Sequence, residues 1–245
     1  VIPLKSISDI YDLFLGYHLE YDDSGILENV LKSEFRKSNG AVTTPEHIVH
    51  NTIDSTVPSE YLQSLTNQQI LDLKFLDPAC GSGVFLVSIY DHLATQIESN
   101  IEERKDVLPH RYLYEKDGKK YLNLEGRKLI VNQCLHGVDI NQECVEVAKL
   151  SLSLKIIDGF EPIDFNNAGL YGSQILHGVG VNIKCGNSLV EPDILERFSC
   201  ISENLEELAA TNVFDYKTAF CDIFSRGGFD YVIGNPPYVE VKNYN

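Results

Sequence analysis

Two short stretches carry residue types that could do chemistry. The first is Gly234-Asn235-Pro236-Pro237-Tyr238, which follows the apolar Tyr231-Val232-Ile233. Two prolines fix the backbone and remove two N–H donors. What remains is a set of acceptors: the side-chain oxygen of Asn235 and the carbonyls of the prolines. Acceptors around a conjugated amino group can hold both of its N–H bonds and favour pyramidal nitrogen. They also offset the positive charge that develops as the nitrogen attacks. Tyr238 adds an aromatic face for a planar partner. By itself the same stretch is also an ordinary strand-ending turn, because Asn-Pro commonly makes one.

The second stretch is Leu76-Asp77-Pro78-Ala79-Cys80-Gly81-Ser82-Gly83. Its glycines do not have the GxGxxG spacing of a dinucleotide-binding turn. Asp77 at the end of a strand would repel a pyrophosphate and would suit a ligand with an ammonium group. Gly81 and Gly83 let the backbone approach that ligand closely. S-adenosyl-L-methionine fits these demands, having an amino acid tail, a sulfonium and no phosphate. A second acid, Asp139, ends another apolar segment, where a carboxylate can accept hydrogen bonds from both hydroxyls of a ribose. Its distance from the glycine turn exceeds the usual spacing of about 20 residues; an inserted hairpin accounts for the excess.

These residues need elements to position them. The pattern predicts strands at residues 74–77, 135–140, 181–185 and 229–233, ending at Asp77, Asp139, Gly186-Asn187 and Asn235. Helices are expected over 84–98, 141–157 and 201–211. Asp117-Gly118, between Tyr- and Leu-rich arms at 112–122, signals a hairpin. Thr44 is expected to cap a helix with Pro45 in its first turn. Residues 6–37 show helical spacing (Ile7, Ile10, Tyr11, Phe14, Leu15, resuming over 26–35), and residues 159–180 read as loop. Strands alternating with helices imply an α/β fold, a Rossmann-like, doubly wound and mostly parallel sheet whose ligand lies beyond the carboxyl ends of its strands. The expected organisation is a helical lead-in over residues 1–38 and a catalytic domain over residues 39–245, truncated after the fourth strand.

The 245 residues are 43% hydrophobic, enough for one domain with a real core. No apolar run reaches the roughly 18 residues of a membrane span, so no membrane partner is expected. The chain contains no Met and is read as a piece of something longer. Its six cysteines are scattered without a CxxC pair, which points to small core residues in a reducing cytosol. His136 in a strand reads as a satisfied core residue. Glu46, His47 and His50 share a helix face without a third ligand, so no metal is expected. A net charge of −16 argues against this stretch gripping nucleic acid unaided.

Together these residues resemble the amino-methyltransferases of restriction–modification systems, in the gamma arrangement. They look like the type IIG enzymes, which fuse nuclease, methyltransferase and target recognition. The resemblance runs over residues 38–245 and rests on five ordered segments. These are Gly40-Ala41-Val42-Thr43-Thr44-Pro45 (motif X), residues 76–86 (motif I), Gly137-Val138-Asp139-Ile140-Asn141 (motif II), Lys184-Cys185-Gly186-Asn187-Ser188-Leu189 (motif III) and Gly234-Asn235-Pro236-Pro237-Tyr238 (motif IV).

The resemblance implies transfer of a methyl group from S-adenosyl-L-methionine to N6 of adenine in DNA, the base being flipped out of the duplex because N6 is otherwise paired. Thr44 and Asp77 would hold the methionine end of the cofactor. Ala79, Gly81 and Gly83 would form its turn, Asp139 and Ile140 would bind the nucleoside, and Asn187 would face the adenine amino group. Asn235, Pro236, Pro237 and Tyr238 would hold the target base, with Asn235, Pro236 and Tyr238 as the catalytic set. Double-stranded DNA would be gripped by regions outside this chain, a nuclease domain could precede residue 1, and a bacterial cytoplasm is the implied location. Val42 and Thr43 stand where relatives carry an aromatic residue, which predicts a weaker cofactor contact there. The chain stops seven residues after Tyr238, so this stretch alone is expected to be inactive. Other readings are a protein-glutamine methyltransferase, an RNA amino methyltransferase and a scaffold module.

Overall fold

The computed structural model describes residues 44–103, 106, 108–159, 177–193 and 211–236, and the backbone of two further strands at 17–21 and 27–31. Its centre is a four-stranded parallel sheet formed by β3 (Phe75–Asp77), β6 (Leu135–Asp139), β7 (Ile183–Cys185) and β8 (Tyr231–Val232). The spatial order is β7-β6-β3-β8. Counted along the chain, that is third, second, first, fourth, so the order reverses between β3 and β8. A reversal of this kind opens a crevice at the strands' carboxyl ends. In register, Phe75 pairs with Leu135 on one side and with Tyr231 on the other.

β3 is buried at all three residues, as a central parallel strand must be. Its alternation feeds two cores. Phe75 joins the large one, and Leu76 joins a second with Val138, Phe214, Phe220 and Ile223. Cover on both faces is what makes the sheet doubly wound.

The large core is built mainly by helices whose apolar residues recur every three or four positions. α1 (Glu46–Thr56) contributes Val49 and Ile53. α2 (Ser59–Gln63) adds Leu62, and α3 (Asn67–Asp72) adds Ile70 and Leu71 after a capping box between Thr66 and Gln69. α4 (Val84–Glu102) buries Phe85, Leu86, Ile89, Tyr90, Leu93, Ile97 and Ile101. Each such side chain, fully buried, is worth about 1.5–3 kcal/mol. α6 (Gln142–Ile157) starts at an Asn141 cap whose side chain accepts from the Glu143 N–H. Two short helices, α7 (Tyr216–Ala219) and α8 (Cys221–Phe224), cover the second core.

The predicted hairpin is present as β4 (Leu113–Lys116) and β5 (Lys119–Leu122). Asp117 and Gly118 both have positive φ, 52° and 73°, as a two-residue primed turn requires. After it comes α5 (Leu124–Cys134), which the hydrophobic pattern did not announce; Asn123 caps it by accepting from the Gly126 N–H. His136 is buried, with Nδ1 3.2 Å from the Phe75 carbonyl and its ring edge-on to Phe220 and Phe229. Cys80, Cys134 and Cys144 are core residues as expected, but Cys185 is partly exposed and Cys221 exposed. Among the described residues no helix is long and apolar enough to cross a membrane.

Two expectations are corrected. Residues 17–21 and 27–31, read as part of a helical lead-in, are strands: β1 (Tyr17–Tyr21) and β2 (Leu27–Leu31) pair antiparallel, with Tyr17 opposite Leu31. Leu27, Val30 and Leu31 satisfy helical spacing, yet so short a run satisfies a strand equally, and pairing across a turn decides it. The turn is foreshadowed by Asp22-Asp23-Ser24-Gly25. Thr44, expected to cap α1, makes no capping hydrogen bond; Pro45 occupies the cap position and its carbonyl accepts from Ile48 and Val49. The remaining lead-in, most of the 159–180 loop and the 201–211 helix lie largely outside the described residues.

Candidate functional site

Among the described residues, the predicted site residues converge on the carboxyl end of the sheet. Asp77 is the hub. It is 1% exposed, and its Oδ1 accepts the Ala79 N–H at 3.1 Å. Burial pushes its carboxyl up to about 7, and the charge of Asp139 adds to that rise. The turn after it is closed by the Gly83 N–H on the Cys80 carbonyl (2.8 Å), and the Cys80 N–H reaches the Val138 carbonyl (3.0 Å). Gly81 and Gly83 have φ of 52° and 86°. They differ in surroundings. A β-carbon at 81 would meet nothing within 4 Å, whereas one at 83 would press on Ala148 of α6 at 3.2 Å. Gly81 therefore leaves open space for a ligand, and Gly83 serves helix packing.

Asp139 does more than end its strand. Oδ2 accepts the Gly81 N–H at 2.8 Å and Oδ1 the Asn141 N–H at 2.9 Å, so this carboxylate holds the glycine turn against the next one. Each oxygen keeps a further lone pair for a ligand. Ile140 is 55% exposed beside it, an apolar side chain left uncovered at the site. Asn187 is partly exposed, and its Oδ1 accepts the Leu189 N–H at 3.1 Å. The turn also contains Gly186, whose N–H binds the Asp139 carbonyl.

One contributor was missed by sequence reasoning. Asn212, at φ 46°, receives the Asn187 N–H on its carbonyl at 2.7 Å and donates Nδ2 to the Ile140 carbonyl at 3.3 Å. It stitches the ends of β6 and β7 together from a segment without motif character; the tolerance of Asn for left-handed backbone is the one available signal.

On the other side of β3, the Ile233 N–H binds the Leu76 carbonyl at 2.9 Å and Phe75 stacks on Tyr231 (5.0 Å, 14°). This places Asn235 and Pro236, both exposed, at the mouth of the crevice. Asn235 Nδ2 donates to Thr44 Oγ1 at 3.1 Å, which leaves Oδ1 as the amide's acceptor. Thr44, which the resemblance assigns to the cofactor, thus touches Asn235, which it assigns to the target base. Pro237 and Tyr238 lie outside the described residues.

The donor set can be tested against the cofactor the sequence suggested. The strand-end turns at 77–83, 139–141, 186–189 and 233–236 contain no Lys or Arg. Two carboxylates and an open glycine backbone suit a cationic, phosphate-free ligand, and S-adenosyl-L-methionine fits. Asn235 and Pro236 supply acceptors for an amino group at the end of the neighbouring strand, beside that turn.

A family model described as N-6 DNA Methylase matches residues 24–168, more than half of the chain, and one described as Eco57I restriction-modification methylase matches residues 133–245. The chain is 27% identical to the type II restriction enzyme and methyltransferase RM.Eco57I of Escherichia coli, over 98% of its own length and 22% of that protein's. It is 29% identical to a putative type II restriction enzyme and methyltransferase of Methanocaldococcus jannaschii, over 84% of its length and 18% of that protein's. Among solved structures, a DrdV–DNA complex determined by cryo-EM aligns with a TM-score of 0.47 at 17% identity, covering 96% of this chain and 16% of that one. The chain thus spans about a fifth of the length of the curated relatives it matches.

Proposed function

The chain belongs to the N-6 DNA Methylase family, and from that premise we propose that it is catalytic machinery of a site-specific DNA methyltransferase that methylates N6 of an adenine turned out of the duplex, within a restriction–modification enzyme. The observation that carries this reading is the position of Asn235 and Pro236 at the sheet's switch point, next to Asp77 on the adjacent strand. S-adenosyl-L-methionine, when bound, supplies a methyl group on a positively charged sulfur. The chain's own residues then have distinct tasks.

Asp77 faces the cofactor's ammonium, and Asp139 and Ile140 take its ribose and adenine. Asn187 meets the adenine amino group with the lone pair left on its oxygen. Asn235 Oδ1 and the Pro236 carbonyl accept the two N–H bonds of the target amino group and stabilise the charge that grows on it. Pro236 contributes no donor that could compete for the same lone pair. Tyr238 stacks on the base. Double-stranded DNA is the substrate, and its grip comes from parts of the protein beyond this acidic chain of net charge −16.

The test is transfer of labelled methyl from S-adenosyl-L-methionine by the full-length protein offered duplex DNA, RNA or a glutamine-bearing protein. The expected result is label at adenine N6 in DNA, abolished by Asn235→Ala. Label in RNA or protein instead would overturn the reading.

A further inference from the structure

We infer that Thr44 is a positioning residue for methyl transfer: its hydroxyl fixes the rotation of the Asn235 amide so that Oδ1, and not Nδ2, faces the target amino group. The inference rests on the function proposed above and adds a task that the cofactor role of Thr44 does not contain.

The chemistry requires such a device. An asparagine amide has one acceptor end and one donor end of nearly equal size. Rotated half a turn, Asn235 would present N–H groups to an amino group that also carries N–H, and the interaction would change sign. Pro236 cannot correct this, because it has no N–H to hold the amide oxygen away. In the structure the donor end is already engaged, with Nδ2 on Thr44 Oγ1 at 3.1 Å across 191 residues of chain.

Both partners adjoin elements anchored in the core. Thr44 precedes Pro45, whose φ of −55° is set by its ring, and α1 behind it is anchored by buried Val49 and Ile53. Because Pro45 takes the cap position, the Thr44 hydroxyl is not consumed by the helix end. Asn235 follows β8, which is tied to β3 by the Ile233–Leu76 bond and the Phe75–Tyr231 stack. A hydroxyl can also donate, so it selects the amide's rotation only while its own proton is engaged elsewhere. The cofactor role expected of Thr44 provides such an acceptor. With that proton engaged only lone pairs face Asn235, which the amide meets with Nδ2.

The experiment uses the full-length protein and measures kcat, KM for DNA and the cofactor dissociation constant separately. Thr44→Val, which keeps the shape and loses the hydroxyl, is expected to lower kcat at saturating cofactor about 10- to 100-fold, beyond whatever it costs in cofactor affinity. Thr44→Ser should restore kcat. In Asn235→Asp both side-chain oxygens accept, so orientation no longer matters and the loss from Thr44→Val should shrink towards onefold. Unchanged kcat in Thr44→Val, a fall in cofactor affinity that accounts for the lost rate, or the same loss in the Asn235→Asp background would each overturn the inference. Absence of any methyl transfer to DNA by the wild-type protein would overturn the proposed function itself, and is read before any variant is made.

Discussion

Gly234 lies directly over the Asp77 carboxylate. A β-carbon at 234 would collide with Asp77 Oδ1, and would sit 3.1 Å from its Cγ and 3.4 Å from Pro78 Cδ. Gly234, the residue before Asn235, therefore forms part of the roof over the Asp77 carboxylate. The turn that follows Asp77 and the turn that holds Asn235 meet at this contact.

Gly234→Ala should accordingly damage both halves of the site. The collision falls on a buried carboxylate held by the Ala79 N–H, so the cost is expected to be about 1–3 kcal/mol of stability, together with weaker cofactor binding. Gly81→Ala is the contrast. Its β-carbon meets no protein atom, so only the strain of φ 52° applies, about 1 kcal/mol, while cofactor affinity drops because the added methyl enters the open space. Thermal denaturation and calorimetric titration of both variants separate the effects; equal destabilisation by the two would count against this account.

Asp77 makes stability and function oppose each other. Its carboxyl is raised to about 7, mainly by burial, from an ordinary value near 3.9. Between those values the folded protein keeps a proton on Asp77 that the unfolded chain has released, so the Asp77 contribution to stability falls as pH rises from about 4 to 7 and levels off above. Asp77→Asn retains an oxygen for the Ala79 N–H and removes the ionisation. It should be more stable than wild type by about 2–4 kcal/mol at pH 8 and no more stable at pH 4, while losing cofactor affinity. Denaturant melts at the two pH values check this; a gain independent of pH would refute the ionisation argument.

Much of this site was legible because its residues are punctuation as well as chemistry. Glycine turns and Asn-Pro-Pro end strands by their own backbone limits, and Asp117-Gly118 demands a primed turn, so these features declare themselves locally. What stayed hidden depends on contacts far along the chain. The strand character of residues 17–21 and 27–31 is settled by their mutual pairing. The reach of Thr44 to Asn235 and the stitching by Asn212 are tertiary, and α5 has its Asn123 cap but a glycine, Gly126, near its start, a poor helix former that obscures the signal. Gly126 is kept there because a β-carbon would strike the Tyr112 carbonyl.

Asp139→Asn tests whether that residue is a strut as well as a ligand. An amide offers one acceptor where the carboxylate offers two, so either the Gly81 or the Asn141 N–H loses its partner. Leaving the part-buried Gly81 N–H unsatisfied costs about 1–3 kcal/mol, and the exposed Asn141 N–H less, since water replaces its partner. The expected outcome is a lower melting temperature without cofactor, in addition to weaker binding. A variant that melts like wild type would assign Asp139 to the ligand alone.

The acid side of the stability profile should belong to His136. Burial lowers it to about 4, from an ordinary value near 6.5. The unfolded chain therefore takes up a proton as pH falls from about 6.5 to 4 that the folded protein refuses, and stability is lost through that window. Over the same range Asp77 acts in the opposite sense, since there the folded state holds the extra proton. The two contributions cancel near pH 5.5, each amounting to about 1.4 kcal/mol per pH unit. Removing one exposes the other. Asp77→Asn should show stability rising with pH between 4.5 and 6 more steeply than wild type, by about that slope. Adding His136→Asn, which keeps a donor for the Phe75 carbonyl, should flatten the rise again whatever it costs in packing. Stability curves for the three proteins across pH 4–7 decide it: if the double variant keeps the slope of Asp77→Asn, His136 is not the group that titrates.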